Sequence, residues 1–355
     1  MSEVYSQLKM FHFSDRLRSL EQGKIPFPVH VRVKPTNVCN HNCWFCAYRK
    51  DNLELGENMK VRDTLPVEKM RELVEDFSVM KVKAVTLSGG GEPLIYSHVE
   101  EFLERLHMAG IKIGILTNGS RLSGDLAERI SKWVTWVRIS MDGWDGISYA
   151  RSRSTSEKEF DRIFANISAF LEKRGPCLLS VSYIVDAENV FRLYEVCARL
   201  KNAGVSVVKL SPVIVDTDRE RQNQYHDVIR ATAREQIEKI RENLCGPGFK
   251  IADHYHRENE SFQKNYHSCH FAKLLTVVGA DQNIYSCQDK AYTDGGYLGS
   301  WKERRFIEAW SSSEVQDRLR GIDPNRHCRH HCVAHRKNLI LEDYLSSDPG
   351  HIDFI

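Results

Sequence analysis

The chain has 355 residues, 41% of them hydrophobic, with 50 Lys and Arg against 48 Asp and Glu. That length buries a large core, and the near balance of charge excludes the global basic field with which proteins hold nucleic acid or anionic membranes, so no nucleic-acid partner is expected. No segment is apolar over the length of a membrane span and the opening "MSEVYSQLKMFHFSDRLRSL" has no signal-peptide run; a cytoplasmic protein with no membrane partner and with reduced thiols is expected.

In chain order, residues 1–29 read as an N-terminal extension and "HVRVKP" (30–35) as the first strand. The loop that follows, "TNVCNHNCWFC", places Cys39, Cys43 and Cys46 within eight residues. Short β-rich runs then alternate with longer stretches at helical spacing. The strands are "AVTLSG" (84–89), "KIGILTNG" (112–119), "WVRISMDG" (136–143), "LLSVSYIV" (178–185) and "VSVVKLSPVI" (205–214). Such a rhythm predicts an α/β fold with parallel strands, a partial (β/α)6 TIM-like barrel over residues 30–245 that is two units short of a closed one. In sheets of this kind chemistry collects at the C-terminal strand ends. There lie the thiol loop after strand one, "SGGGEP" after strand two, "TNGS" after strand three and "SMDGW" after strand four.

From residue 246 to 355 the pattern changes to a small Cys-rich β-hairpin and helix module. "TVVGADQNIYSC" predicts a hairpin turning between Gly279 and Asn283, "RFIEAWSSSEVQDRLRGI" a helix, and "NRHCRHHCVAHRKN" a second dense group of ligands. Ten cysteines divide into Cys39, Cys43 and Cys46, then Cys269, Cys287, Cys328 and Cys332, then three singletons. Cys177 and Cys197 sit in apolar runs and are assigned to core. Cys245 lies in the Gly/Pro loop "NLCGPGFK".

Structural zinc wants four protein ligands, and the first group offers three thiolates with His41 nearby. A four-iron cluster held by three cysteines leaves one iron open to bind something else. "CNHNCWFC" is the Cys-x3-Cys-x2-Cys pattern, and with "SGGGEP" after the next strand it resembles the radical S-adenosylmethionine superfamily over residues 30 to about 215. The resemblance implies a [4Fe–4S] cluster on Cys39, Cys43 and Cys46 whose open iron binds S-adenosylmethionine. Its reductive cleavage yields a 5′-deoxyadenosyl radical that takes hydrogen from a substrate. It also implies that Gly90, Gly91 and Glu92 hold the methionine end and that Phe45 packs near the adenine. Thr117, Asn118 and Ser140, with Arg138 and Asp142, would meet the ribose and carboxylate, and Ser211 and Pro212 would face the adenine. Asn-Gly and Asp-Gly are also ordinary strand exits, so turn chemistry is the competing account of the strand-end residues.

"CHFAKLLTVVGADQNIYSC" resembles the first half of the Cys-rich SPASM or twitch extension, which carries auxiliary clusters. Four cysteines imply one auxiliary [4Fe–4S] cluster on Cys269, Cys287, Cys328 and Cys332, two clusters in all. A zinc site on the same thiols, or on them mixed with His327, His330, His331 and His335, fits the ligand count equally. The implied partners are a small-molecule substrate and an external electron donor such as flavodoxin or ferredoxin. The expected reaction is oxidation of a sugar, polyol or aminocyclitol, with Arg151 or Arg153 as a substrate anchor. The alternatives are a peptide-modifying maturase, an epimerase or rearrangement enzyme in which the Cys245 thiol donates hydrogen, and a non-catalytic iron–sulfur or zinc protein.

Overall fold

A computed structural model describes residues 6–50, 53–256, 262–348 and 350–354. After α1 (Ser14–Glu21) the chain enters β1 (His30–Val33), and strands and helices then alternate. They are α2 (Val67–Val79), β2 (Ala84–Leu87), α3 (Val99–Met108), β3 (Lys112–Thr117), α4 (Gly124–Trp133) and β4 (Trp136–Ser140). Then follow α5 (Gly146–Arg153), α6 (Lys158–Glu172), β5 (Leu178–Val185), α7 (Leu193–Asn202), β6 (Val207–Pro212), α8 (Arg219–Asp227), α9 (Arg230–Asn243) and β7 (Lys250–Asp253). The C-terminal part supplies β8 (Leu275–Val278), β9 (Asn283–Tyr285), β10 (Tyr297–Ser300), α10 (Phe306–Ser311), α11 (Ser313–Arg320), α12 (Pro324–His327) and α13 (His335–Ser346).

All strands join one sheet in the order β10-β9-β8-β1-β2-β3-β4-β5-β6-β7. From β8 to β7 every pairing is parallel, and β9 and β10 are antiparallel. The sheet is open, with β10 and β7 at its edges, so the α/β, part-barrel expectation holds. The sheet also runs on beyond the six expected strands. β7 extends the sheet past β6, and β8 lies beside β1, from His30 opposite Leu275 to Val33 opposite Val278. The Cys-rich segment is thus part of the sheet, and it covers the β1 edge whose backbone groups would otherwise stand unpaired. Its hairpin turns where expected, with the Gly279 amide donating to the Asn283 carbonyl at 2.9 Å. The single helix expected over 305–322 is two. Ser312 adopts extended backbone (φ −68°, ψ 150°) and its hydroxyl accepts from the Val315 amide to cap α11.

The two sheet faces differ in a way that creates the site. On the outer face Val31, Val33, Val85, Val137, Ile139, Val181 and Val208 are fully buried under the helices. The helices present apolar stripes at i, i+3, i+4 and i+7, such as Met70, Leu73, Val74 and Phe77 of α2. On the inner face the alternating positions of β1, β4 and β6 are half-open and polar: His30, Arg32, Arg138, Ser140, Lys209 and Ser211. Polar side chains tolerate this face because it lines a cavity rather than a dry core.

Candidate active site

The thiol loop leaves the C-terminal end of β1 and is fixed from three sides. The Gly91 amide donates to the Thr36 carbonyl (3.1 Å) and the Glu92 amide to the Val38 carbonyl (2.9 Å), so the glycine run lies against the loop's first arm. The Asn42 and Trp44 amides donate to the Arg153 and Ser152 carbonyls (2.9 and 3.1 Å), which are orphan acceptors at the end of α5. From β3, the Asn118 amide group donates to Asn40 Oδ1 (2.8 Å). Asn37, at the root of the loop, accepts from the Tyr292 hydroxyl at 2.6 Å, a tie across 255 residues to the Cys-rich segment.

A cavity of about 350 Å³ opens inside this frame, lined by Cys39, Cys43, Gly91, Glu92, Thr117, Asn118 and Ser140 among others. Arg32 and Lys34, from β1 and its end, line it too, as do Gln288 and Asp289, just after Cys287. Seven of the expected site residues therefore meet in one place. Gly90 instead faces the Asn37 and Met59 side chains. Phe45 is half-buried between Trp44 and Arg153, at 5.8 and 5.7 Å.

Four expected roles meet other partners in the structure. Glu92 is buried and its carboxylate is consumed by the protein, accepting from Thr117 Oγ1 (2.6 Å) and the amides of Leu94 (3.0 Å) and Asn118 (2.7 Å). It clamps the ends of β2 and β3 together. The Asp142 carboxylate receives the Ile184 amide (2.7 Å) and pairs with the buried Arg153. Burial works against a guanidinium's charge, but Tyr149 and Asp142 hold Arg153 cationic. Arg153 lines the cavity but is paired with Asp142, and Arg151 is an exposed cation paired with Glu188. Cys245 sits in the turn from α9 into β7, at the N-terminal edge of the sheet, opposite the thiol loop, and its neighbour is Cys197. A hydrogen donor must reach the radical centre, and this position faces the wrong end.

The thiols suit an iron–sulfur site by their chemistry. Burial pushes the Cys43 thiol up to about 11 and raises Cys39; Cys46 adds to the shift at both, and Cys39 adds to it at Cys43. In the Cys-rich segment burial raises Cys287 and Cys332 and lifts Cys328 to about 11, and Cys269 lies in the field of all three. The four expected auxiliary ligands are therefore gathered together. A buried thiol set that repels itself on ionising becomes thiolate only when a cation compensates it, which is what a cluster or metal supplies. Among the described residues no three His, Cys, Asp or Glu side chains close on a single point tightly enough to hold one ion.

Sequence reasoning overlooked the cationic inner wall. Lys34 is buried, with Nζ donating to the Tyr48 hydroxyl (2.6 Å) and the Gly89 carbonyl (3.0 Å), and burial, helped by Arg32, pulls it down to about 7. Burial, then Arg138 and Arg32, pulls Lys209 down to about 8. The signal was present: β1, β4 and β6 each alternate valine, leucine or isoleucine with a cation, so one face of each strand carries charge.

Comparison with known proteins agrees with this geometry. The Radical SAM superfamily model matches residues 33–190. An S-adenosylmethionine-dependent nucleotide dehydratase of Flammeovirga pacifica is 27% identical over 129 residues, covering 36% of this chain and 43% of that protein. A probable GTP 3′,8-cyclase of Methanothermobacter thermautotrophicus is 26% identical over 218 residues, 59% of this chain and 68% of that one. The chain thus spans between 43% and 68% of the length of these two curated relatives. Among solved structures, SuiB of Streptococcus suis bound to S-adenosylmethionine superposes with a TM-score of 0.65 at 14% identity, covering 96% of this chain and 81% of that chain. Native anSMEcpe with bound AdoMet gives 0.62 at 14% identity, over 90% and 96%. These two share the fold across both the barrel and the Cys-rich segment. The matched span begins at the last residue of β1 and ends beyond β5, and it encloses the thiol loop, the glycine run and the strand ends that converge on the cavity; over residues 33–190 the chain carries a Radical SAM domain.

Proposed function

We propose that this radical S-adenosylmethionine enzyme oxidises a small polar substrate, a sugar, polyol or cyclitol, with an auxiliary [4Fe–4S] cluster as acceptor of the second electron. The observation that carries the reading is a cavity lined both by Cys39 and Cys43 and by Asp289, two residues after Cys287. Cys39, Cys43 and Cys46 would hold the first cluster, and Cys269, Cys287, Cys328 and Cys332 the second. Bound there, the first supplies an electron for cleavage of S-adenosylmethionine to methionine and a 5′-deoxyadenosyl radical, with flavodoxin or ferredoxin as the external donor. The balance is simple: a substrate C–H hydrogen goes to 5′-deoxyadenosine, one further electron leaves to the auxiliary centre, and the adjacent hydroxyl loses its proton to give a carbonyl.

Lys34 is the base this cavity offers for that proton, because burial leaves a large part of its amine neutral near pH 7. Turnover is expected to rise with pH through about 7, as the amine loses its proton. Lys34→Met should remove that limb of the rate profile while 5′-deoxyadenosine still forms, and an unchanged profile would exclude Lys34. Cys245→Ala is expected to leave turnover within about twofold, as for a half-buried small hydrophobe; its loss would restore the epimerase reading. The reading as a whole is tested by anaerobic reconstitution with dithionite and S-adenosylmethionine. Formation of 5′-deoxyadenosine supports it, and its absence at full iron loading refutes it.

A further inference from the structure

The Cys-rich segment buries a lysine that the reaction proposed above does not use. Lys264 is 4% exposed, and its Nζ donates to the Phe262 carbonyl (2.9 Å) and to the His330 carbonyl. The Asn325 side-chain amide donates to the Lys264 carbonyl (2.8 Å), so side chain and backbone both tie this lysine to the stretch that carries Cys328 and Cys332. His330 stands midway between those two cysteines in the chain, and Cys328 lines the same surface depression as Lys264. An ammonium has three N–H donors. Two go to these carbonyls; among the described residues no acceptor takes the third and no carboxylate pairs with Lys264. By contrast Lys290, also in the field of Cys328, is paired with Glu54, and Cys269 receives the neutral Asn338 amide at 3.5 Å. Burial works against the Lys264 charge, while the Cys332 and Cys328 thiolates and Asp289 favour it. A charge is buried at such cost only where opposite charge compensates it.

We propose that Lys264 is a positioning residue of the auxiliary site: its ammonium, with one donor unspent, lies against the Cys328 and Cys332 sulfurs and raises the potential at which an auxiliary [4Fe–4S] cluster takes the electron released by substrate. The inference rests on the auxiliary cluster of the proposed function. There the substrate radical loses one electron and its hydroxyl proton to become the carbonyl compound, and that electron adds one negative charge to a site already carrying four thiolates. A fixed cation and an N–H donor beside two of those sulfurs favour the added charge, since net charge and hydrogen bonds to sulfur set such potentials. Asp289, in the fields of Cys287, Cys328 and Cys332, works in the opposite direction. The competing account makes Lys264 a strut that clamps residues 262–264 onto 325–332. A strut needs donors for two carbonyls but no charge, and the two accounts part on that point.

The test is a redox titration of the reconstituted holoenzyme followed by electron paramagnetic resonance, with and without S-adenosylmethionine. The signal that S-adenosylmethionine alters belongs to the first cluster and the other to the auxiliary one. Lys264→Gln, which keeps N–H donors but no charge, should lower the reduced-to-oxidised ratio of the auxiliary signal about tenfold or more at fixed potential, a midpoint lower by about 59 mV for a one-electron couple. Lys264→Arg should stay within about threefold of wild type, and Asp289→Asn should shift the ratio the other way. Iron per chain and the first cluster's midpoint should stay constant in all three, and Lys264→Gln should yield less oxidised product per 5′-deoxyadenosine. An unmoved auxiliary midpoint in Lys264→Gln, equal shifts in Lys264→Gln and Lys264→Arg, loss of iron in Lys264→Gln, or a downward shift in Asp289→Asn each overturns the proposal. A wild type without a second iron–sulfur signal refutes the auxiliary cluster and this inference with it; a wild type with two signals, neither dependent on Lys264, refutes this inference alone.

Discussion

Replacing Cys39, Cys43 and Cys46 together by alanine is expected to lower the iron content of the anaerobically reconstituted protein from about eight to about four atoms per chain and to abolish 5′-deoxyadenosine formation. Two independent thiol sets underlie that difference. Cys39 and Cys43 line the cavity after β1, while Cys269, Cys287, Cys328 and Cys332 lie in each other's fields beside β8 and β9. The converse variants, Cys287→Ala or Cys332→Ala, should retain about four irons and still cleave S-adenosylmethionine, but lose the oxidised product, because the second electron then has no acceptor. Metal analysis reads both sides. A wild-type content of about four irons and one zinc would sink the auxiliary cluster and turn the reaction toward redox-neutral radical chemistry.

Much of this frame was legible in the sequence, for identifiable reasons. Strands β1 to β6 were readable because each is a short apolar run bounded by turn residues, and the thiol loop because its spacing suits few metals. β7 escaped because "KIAD" holds only two apolar residues and lies at an edge. The pairing of β8 with β1 joins residues more than 240 apart, and parallel pairing at that distance leaves no local mark. The ties that fix the site were invisible for the same reason: Tyr292 to Asn37, Asn118 to Asn40, and Glu92 to the end of β3. The Gly-Gly-Glu run could be read as a ligand motif, but not as a clamp whose carboxylate is already satisfied. The inner-face cations lay between these extremes. Their alternation with valine and leucine was plain, yet it served only to identify strands, and their convergence depends on how the sheet brings β1, β4 and β6 together.

Substitution in the glycine run should discriminate between two reasons for its composition, close approach to a ligand and close approach to the thiol loop. A Cβ on Gly91 would lie 1.9 Å from the Val38 carbonyl oxygen and 2.5 Å from the Asn37 carbonyl carbon, both backbone atoms that cannot swing aside. Gly91→Ala must therefore push the first arm of the loop off the end of β2. That sacrifices the Gly91–Thr36 and Glu92–Val38 hydrogen bonds, at about 1 kcal/mol each, on top of about 1–3 kcal/mol of overpacking. Because Cys39 follows Val38 directly, the expected result is a folded protein with about half the iron, the auxiliary set loaded and the first set empty. At Gly90 the new Cβ would meet Asn37 Oδ1 at 2.3 Å and Met59 Sδ at 2.6 Å, side-chain atoms that can rotate away. Gly90→Ala should load iron fully and lose only part of its S-adenosylmethionine cleavage. Gly248→Ala, with nothing within 4 Å, should behave as wild type in both assays. If Gly91→Ala loads iron as wild type does but no longer binds S-adenosylmethionine, the glycine serves the ligand directly. Loss of iron at Gly91 alone, with Gly90 and Gly248 fully loaded, means instead that Gly91 exists to seat the loop, and that the ligand is held by what the loop then presents.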